Sequence, residues 1–473
     1  MKLNRENLFI KAVSMIAAVT LTAGVFAGCG KEASDKDEQG RTVISVGNYP
    51  TQEGKSKETW DAKWQKFEAD NSDVKIEPDQ WTFDLKTFYA KAAGGQLPNL
   101  FQTHFTEVDQ CIDAGYVANL TDVLKKRGYE GKFNERILDI VSDDKGDIYA
   151  FPISTYILGI GYNTEMFEAA GLMEADGTPK QPKDWNELAE FAVKIKEATG
   201  KPGFVFPSAQ NNGGWMFTCL AWSFGTEFMK QDADGKWKAT FNTPEAAEAL
   251  QYIKDLKWKY DVLPSNSLID NAEYYKLYAT GNAGMLMAAG SFTSSIAKYG
   301  ILPEQVGMFA IPAGPKRHVT LLGGTLYCAS EKSTADQLDA GVRWIEASYN
   351  YNATEDFKTN KQREIEVALE ANQLVGIKSM KPWSGDAESV KFEYDLIDKN
   401  SNANPNHVRL YNEFVESGDV EIQPEEPVCA QELYGILDGC IQEVLTNKDA
   451  DCVKLLEKAN SDFQMNYLDN LTY

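Results

Sequence analysis

Apolar and polar positions alternate along most of this chain in short blocks, and the period of each block predicts its element. Thr42 to Val46 (TVISV) is a β-branched run that predicts a buried strand. After Asn48-Tyr49-Pro50, apolar residues recur at Trp60, Trp64 and Phe67, one face of a helix. Val74 to Ile76 predicts a second strand, Leu85 to Ala93 a helix stopped by Gly94-Gly95, and Pro98 to Phe101 a third strand. A turn at Asp144 to Asp147 precedes two further strands, Ile148 to Ile153 and Leu158 to Tyr162. Asp184 with Glu187 forms a capping-box pattern, and Trp185, Leu188, Ala192 and Ile195 share one face of the helix it opens. Asp234-Gly235 predicts a hairpin, Thr243-Pro244 a helix start, and Tyr274 to Thr280 a helix ended by Gly281. Strands follow at Gly284 to Ala288 and Val306 to Ile311, and beyond Asp336 the pattern is mainly helical. Strands alternating with helices predict an α/β fold with a mainly parallel sheet.

The first residues carry a different pattern. Lys2, Arg5 and Lys11 form a basic segment, and Ala12 to Ala27 is apolar but too short for a spanning helix. Phe26-Ala27-Gly28-Cys29 places two small residues before a cysteine, which resembles the lipobox of bacterial lipoproteins. The resemblance implies a signal peptide over 1–28 and a palmitate-type lipid anchor on Cys29. Phe26 stands where the motif usually has Leu, Val or Ile. Residues 29–41 are charged and lack apolar period, the composition of a flexible tether.

A net charge of −23 excludes a phosphate-binding groove of the nucleic-acid type. Besides Cys29, the cysteines 111, 219, 328, 429, 440 and 452 are sparse and irregularly spaced, which favours buried free thiols over a disulfide framework. With no C-x-x-C and with His104, His318 and His407 isolated, neither a metal site nor a cofactor is expected. No G-x-S-x-G elbow, P-loop or H-E-x-x-H is present, so no enzyme is expected.

Six segments in register resemble the family 1 extracellular solute-binding proteins, the group that includes maltose-binding proteins. They are Leu97 to Phe101, Gly146 to Pro152 (GDIYAFP), Gly161 to Phe167 (GYNTEMF), Gln181 to Leu188 (QPKDWNEL), Gly284 to Phe292, and Ile311-Pro312 with Leu322-Gly323-Gly324. Asn99, Lys183 and Phe292 depart from the family's usual Asp, Thr and Trp. The resemblance implies a two-lobed, periplasmic-binding-protein-like fold of type II, its lobes joined by hinge strands, with a helical C-terminal part. The implied N-lobe is 42–155 with 323–365, and the C-lobe 156–322 with 366–473. The implied function is a monomeric, lipid-anchored protein on the outer face of the cell membrane. It would capture a carbohydrate and deliver it to the permease subunits of an ABC importer. Alternatives are the same fold binding a peptide or polyamine, for which a cleft dominated by carboxylates would be the sign, or a sensor or adhesion lipoprotein.

A sugar needs hydrogen-bonding side chains for its hydroxyls and aromatic faces for its C–H surfaces. Loops after strand ends are where open α/β sheets bind ligands. That filter selects Asn48, Tyr49, Gln102, His104, Trp215, Ser291, Phe292 and Gly324, with Trp81 and Trp383 added as aromatics in exposed-looking contexts. Trp215 is the foremost, because it follows Asn211-Asn212-Gly213-Gly214, which reads as a polar, flexible loop that a core Trp rarely has.

Overall fold

The computed structural model describes residues 35–349 and 351–471. The expected signal segment and Cys29 lie outside the described residues. Residues 35–41 of the expected tether form a turn against the fold. Lys36 binds the Thr42 hydroxyl at 2.8 Å and Asp336 at 2.7 Å, and Arg41 pairs with Asp37 at 2.7 Å. Charge complementarity with Asp336 holds this stretch, a signal that composition alone does not carry.

Ten strands and seventeen α-helices alternate along the described chain. One eight-stranded sheet carries both lobes. β1 (Thr42–Val46) pairs in parallel with β2 (Val74–Pro78) and β3 (Leu100–His104). β4 (Ala150–Asn163) and, much later, β9 (Val319–Ala329) are the long strands, and each runs through both lobes. The small hairpin of β5 (Met229–Gln231) and β6 (Trp237–Ala239) closes at the expected Asp234-Gly235 turn. The first half of β4 lies against β9 from Ala150↔Cys328 to Ile157↔Leu322. Its second half is flanked by β7 (Met285–Ala289) and β8 (Val306–Ala310). β9 in turn pairs at its end with β3 and at its start with β10 (Glu421–Pro424).

The two strands expected at Ile148 to Ile153 and Leu158 to Tyr162 are therefore one. Residues between them are polar because the strand is crossing from lobe to lobe, where it leaves one core before entering the next. Its register shifts between Pro152 and Ser154, since proline has no N–H to give to the ladder. The C-terminal third is helical as expected, apart from β10.

Two apolar clusters form the core. The smaller one gathers Ile44, Val46, Phe67, Val74, Ile76 and Trp344 on one face of the N-lobe sheet. The Trp344 ring lies 5.1 Å from Trp60 and 5.3 Å from Phe67, so the periodic face of the helix Lys55–Asp70 docks on it. Each such large side chain contributes about 1.5–3 kcal/mol by burial. Trp383, Ala387 and Val390 belong to this N-lobe cluster. That differs from the expected placement of 366–473 wholly on the C-lobe, because Trp383 stacks on Phe133 at 5.3 Å and meets Phe151 edge-on.

The larger cluster fills the C-lobe around Trp185, Phe217, Trp222, Leu250, Leu286 and Phe309 and extends to Phe101 and Val108. Cysteines 111, 219, 328, 429, 440 and 452 are free; all are buried except half-buried Cys429. Among the described residues no helix is long and apolar enough to cross a membrane.

Candidate functional site

The C-terminal ends of β1 and β3 form the N-lobe wall of the interlobe region. After β1 the chain turns at Asn48, whose left-handed φ of 65° suits an asparagine. Its N–H donates to the Trp81 carbonyl at 2.9 Å, and its Oδ1 accepts weakly from the Gln102 N–H at 3.4 Å. Tyr49 donates to Asp61 at 3.1 Å and packs edge-on against Trp60, so it is tied to the helix behind it. The Gln102 amide donates to Tyr327 at 2.7 Å. His104 ends β3 and is exposed. The next turn, Phe105–Glu107, brings up Glu107, whose carboxylate accepts from the Thr106 hydroxyl.

On the C-lobe side, Trp215 sits in the first turn of α1 (Asn212–Phe224), against α2 (Ala430–Thr446). The sequence reading of Asn211 to Gly214 as a flexible loop needs correction, because this segment is pinned. The Asp438 carboxylate of α2 accepts from the N–H groups of Asn211 and Gly214, both at 2.7 Å. A Cβ on Gly214 would lie 2.2 Å from the Tyr434 carbonyl oxygen, so the glycine permits close helix contact. Trp215 is thereby held half-exposed, its ring edge-on to Tyr156 with centroids 6.5 Å apart. Tyr156 is the midpoint of β4, opposite Gly323 of β9. Just past β10, Glu425 accepts from the Tyr434 hydroxyl at 2.7 Å. Gln110 of the N-lobe donates to the Pro427 carbonyl, so the lobes touch beside this group.

Burial pushes the Glu107 carboxyl up, against the pull of the Thr106 hydroxyl and His104, and Glu425 raises it further. Burial likewise raises Glu425, opposed by Tyr434, Trp215 and His104. The phenol of Tyr156 is raised by burial, then by Glu425 and Tyr275. The region therefore combines aromatic rings and carboxylates from both lobes.

Other sequence candidates fall elsewhere. Phe292, 2% exposed, packs its ring against Gly161 and Tyr278 inside the C-lobe, and Trp383, 7% exposed, is core. A ring buried on both faces offers none to a sugar, which corrects the expectation that Trp383 is exposed. Ser291 is exposed beside Phe292, and its carbonyl accepts from the Ser294 hydroxyl. Gly324 lies in the β4–β9 crossing, where a Cβ would meet the Ser154 carbonyl oxygen at 2.1 Å. Trp81 is half-buried on Phe83 and Phe101. Sequence reasoning missed Glu107, Tyr156, Glu425 and Tyr434. Tyr156, between the two apolar halves of one long strand, was the one with a readable signal. Among the described residues no group of His, Cys, Asp and Glu is placed to hold a metal ion. Two surface cavities of about 460 and 480 Å³ lie apart from this region. Arg317 and Glu426 are among the residues lining the first, Lys201 and Tyr299 among those lining the second.

Comparison with known proteins decides the family. Residues 52–346 match the family described as bacterial extracellular solute-binding protein. The chain belongs to that family. Solute-binding proteins of this family are not enzymes, and they work outside the cytoplasm. The putative ABC transporter periplasmic-binding protein YcjN of Escherichia coli K12 is 25% identical over 317 residues, 64% of this chain and 66% of that protein. The sn-glycerol-3-phosphate-binding periplasmic protein UgpB of the same strain is 26% identical over 289 residues, 58% of this chain and 63% of that protein. This chain thus spans slightly under two thirds of the length of both relatives. Among solved structures, maltose-bound MalE3 of T. maritima is similar with a TM-score of 0.61 and 21% identity, covering 90% of this chain and 99% of that one. UgpB of Mycobacterium tuberculosis, in complex with glycerophosphocholine, has a TM-score of 0.62 and 17% identity, with 90% and 98% covered. These likenesses establish the two-lobed type II binding-protein fold.

Proposed function

We propose that this protein captures a carbohydrate, of oligosaccharide length, between its two lobes and delivers it as a monomer to the permease of an ABC importer. The observation that carries the reading is the aromatic pair of Trp215 and Tyr156, which stands beside Glu425 and Tyr434 where the lobes meet. Rings supply faces for sugar C–H surfaces, and acceptors fixed by their own hydrogen bonds supply direction for hydroxyls. β4 and β9 are the strands about which the lobes would close, with Asn48, Gln102 and His104 approaching from the N-lobe and Ser291 and Gly324 along the rim.

The test is calorimetry against a panel of oligosaccharides, followed by Trp215→Ala. Removing the ring should weaken binding by about 1–3 kcal/mol, up to about a hundredfold, while circular dichroism stays native. Unchanged affinity would take Trp215 out of the site.

The reading includes a lipid on Cys29, supported by the small residues before it and the charged stretch after it. A Cys29→Ala form is expected in the soluble fraction of cells that retain the parent protein in their membranes. Equal membrane retention of both forms would rule out the anchor.

A further inference from the structure

The segment around β10 links the lobes a second time, beside the two long strands. Residues 418–428 run along the start of β9, and the C-lobe grips them from several sides. β10 pairs with β9 from Glu421↔Val319 to Pro424↔Leu322. Arg317 donates to Glu421 at 2.9 Å and to Gln423 at 2.7 Å. Tyr434 holds Glu425 at 2.7 Å, and Trp222 holds Glu426 at 2.8 Å. Among the described residues, two N-lobe side chains hydrogen-bond to the same segment, one toward each end. Arg136, on the helical turn Glu135–Leu138, donates to the Val420 carbonyl at 2.5 Å. Gln110, which accepts from the Tyr89 hydroxyl at 3.0 Å, donates to the Pro427 carbonyl.

The Arg136 end is built for a cation. Val420 follows the helix Pro405–Ser417, which left-handed Gly418 closes at φ 72°. A Cβ on Gly418 would lie 3.6 Å from Arg136 Nη1, so the guanidinium sits over the helix end, whose negative pole favours it. Burial draws Arg136 below its usual range, and no carboxylate pairs with it among the described residues. The Val420 carbonyl and the helix end are therefore what hold it.

This bond is sensitive to the angle between the lobes. Val420 precedes the Glu421↔Val319 pair, about five strand residues, or roughly 16 Å, from the Gly323–Gly324 crossing. A rotation of about 10° about that crossing would displace Val420 from Arg136 by about 3 Å, more than a hydrogen bond tolerates. The segment cannot follow the N-lobe, because its ladder and four side-chain bonds tie it to the C-lobe.

We propose that residues 418–428 form a strap latching the two lobes, with Arg136 as the latch that biases them toward the arrangement in which it bonds Val420. The bias exists before any solute arrives and sets how readily the lobes change their angle.

The experiment is single-molecule energy transfer on the solute-free protein. Dyes are attached through unnatural amino acids at exposed Lys126 of the N-lobe and exposed Glu248 of the C-lobe, which leaves the cysteines untouched. Losing a hydrogen bond made by a charged group should raise the minor interlobe population at least about tenfold in Arg136→Ala. Arg136→Lys keeps the charge and one donor and should fall between the two. Gln110→Ala should shift the populations in the same direction by less, since an amide bond is weaker. Arg409→Ala is the control, because Arg409 lies on the same helix and pairs with Glu413 within the C-lobe. A folded Arg136→Ala protein with the parent's distribution would overturn the latch. So would an equal shift in Arg409→Ala, which would trace the effect to the helix alone. Should Arg136→Ala fail to fold, Gln110→Ala decides, and an unchanged distribution there overturns the strap. No solute is used, so the outcome is independent of whether the natural ligand is a carbohydrate.

Discussion

Asp438→Ala is expected to cost about 3 kcal/mol of stability and to weaken ligand binding in the same variant, because one carboxylate serves both. Asp438 is 5% exposed on α2, and it does for α1 what an N-cap residue normally does from within the helix. Asn211 cannot do so: its φ of 66° is left-handed, and its own side chain donates to Gln431 of α2. The first N–H groups of a helix lack intrahelical partners, and here the carboxylate accepts from Asn211 and Gly214. A negative charge at this end also meets the positive pole of the helix. Burial pushes this carboxyl up and the backbone N–H groups of Gly214, Asn211 and Gly213 pull it down, with burial the stronger. Alanine would leave those donors buried without acceptors and release the turn that carries Trp215. Asparagine would keep an acceptor and lose the charge, so Asp438→Asn should fall about midway. Denaturant unfolding gives the stability and calorimetry the affinity. An alanine variant as stable as the parent would refute the capping role. One that is destabilised yet binds as tightly as the parent would show that Trp215 does not depend on it.

The same comparison shows what could be read in advance. Strand and helix positions were legible because each lies on a periodic apolar pattern: TVISV became β1, and Trp60, Trp64 and Phe67 became the docked face of one helix. The length of β4 was not legible. A strand passing between two cores has a polar middle, and in sequence that middle looks like a loop. Trp215 was legible for a partly mistaken reason, since its two glycines serve helix contact and not flexibility. Phe292 and Trp383 illustrate the converse. Whether an aromatic near a glycine faces a cleft or a core depends on residues far away, Tyr278 for one and Phe133 for the other. Glu107 and Glu425 were invisible for the same reason. Among 70 acidic residues, nothing local marks these two.

Glu426, next in sequence to Glu425, gives the other large effect, and it acts on stability alone. The side chain turns into the C-lobe, is 6% exposed, and accepts from the Trp222 indole N–H at 2.8 Å. Burial pushes its carboxyl up from 4.5 to about 7; the Trp222 indole pulls it back in part, and the nearby Glu227 and Arg317 act less, the first raising and the second lowering it. The folded protein therefore holds this proton more tightly than the unfolded chain. Below pH 4.5 both states are protonated and the group leaves stability unchanged. As pH rises from there to about 7, the unfolded state ionises freely while the folded state resists. Stability should fall over that window by about 3 kcal/mol, and remain at the lower level above it. A glutamine at this position would keep an acceptor for Trp222 and carry no charge. Glu426→Gln should therefore be about 2–3 kcal/mol more stable than the parent at pH 8 and equal to it near pH 4.5. Every other titrating group is common to both proteins, so the difference between their stability–pH curves isolates this carboxyl. Denaturant melts at several pH values measure it, and two parallel curves would show that Glu426 ionises in the folded protein as it does in the unfolded chain.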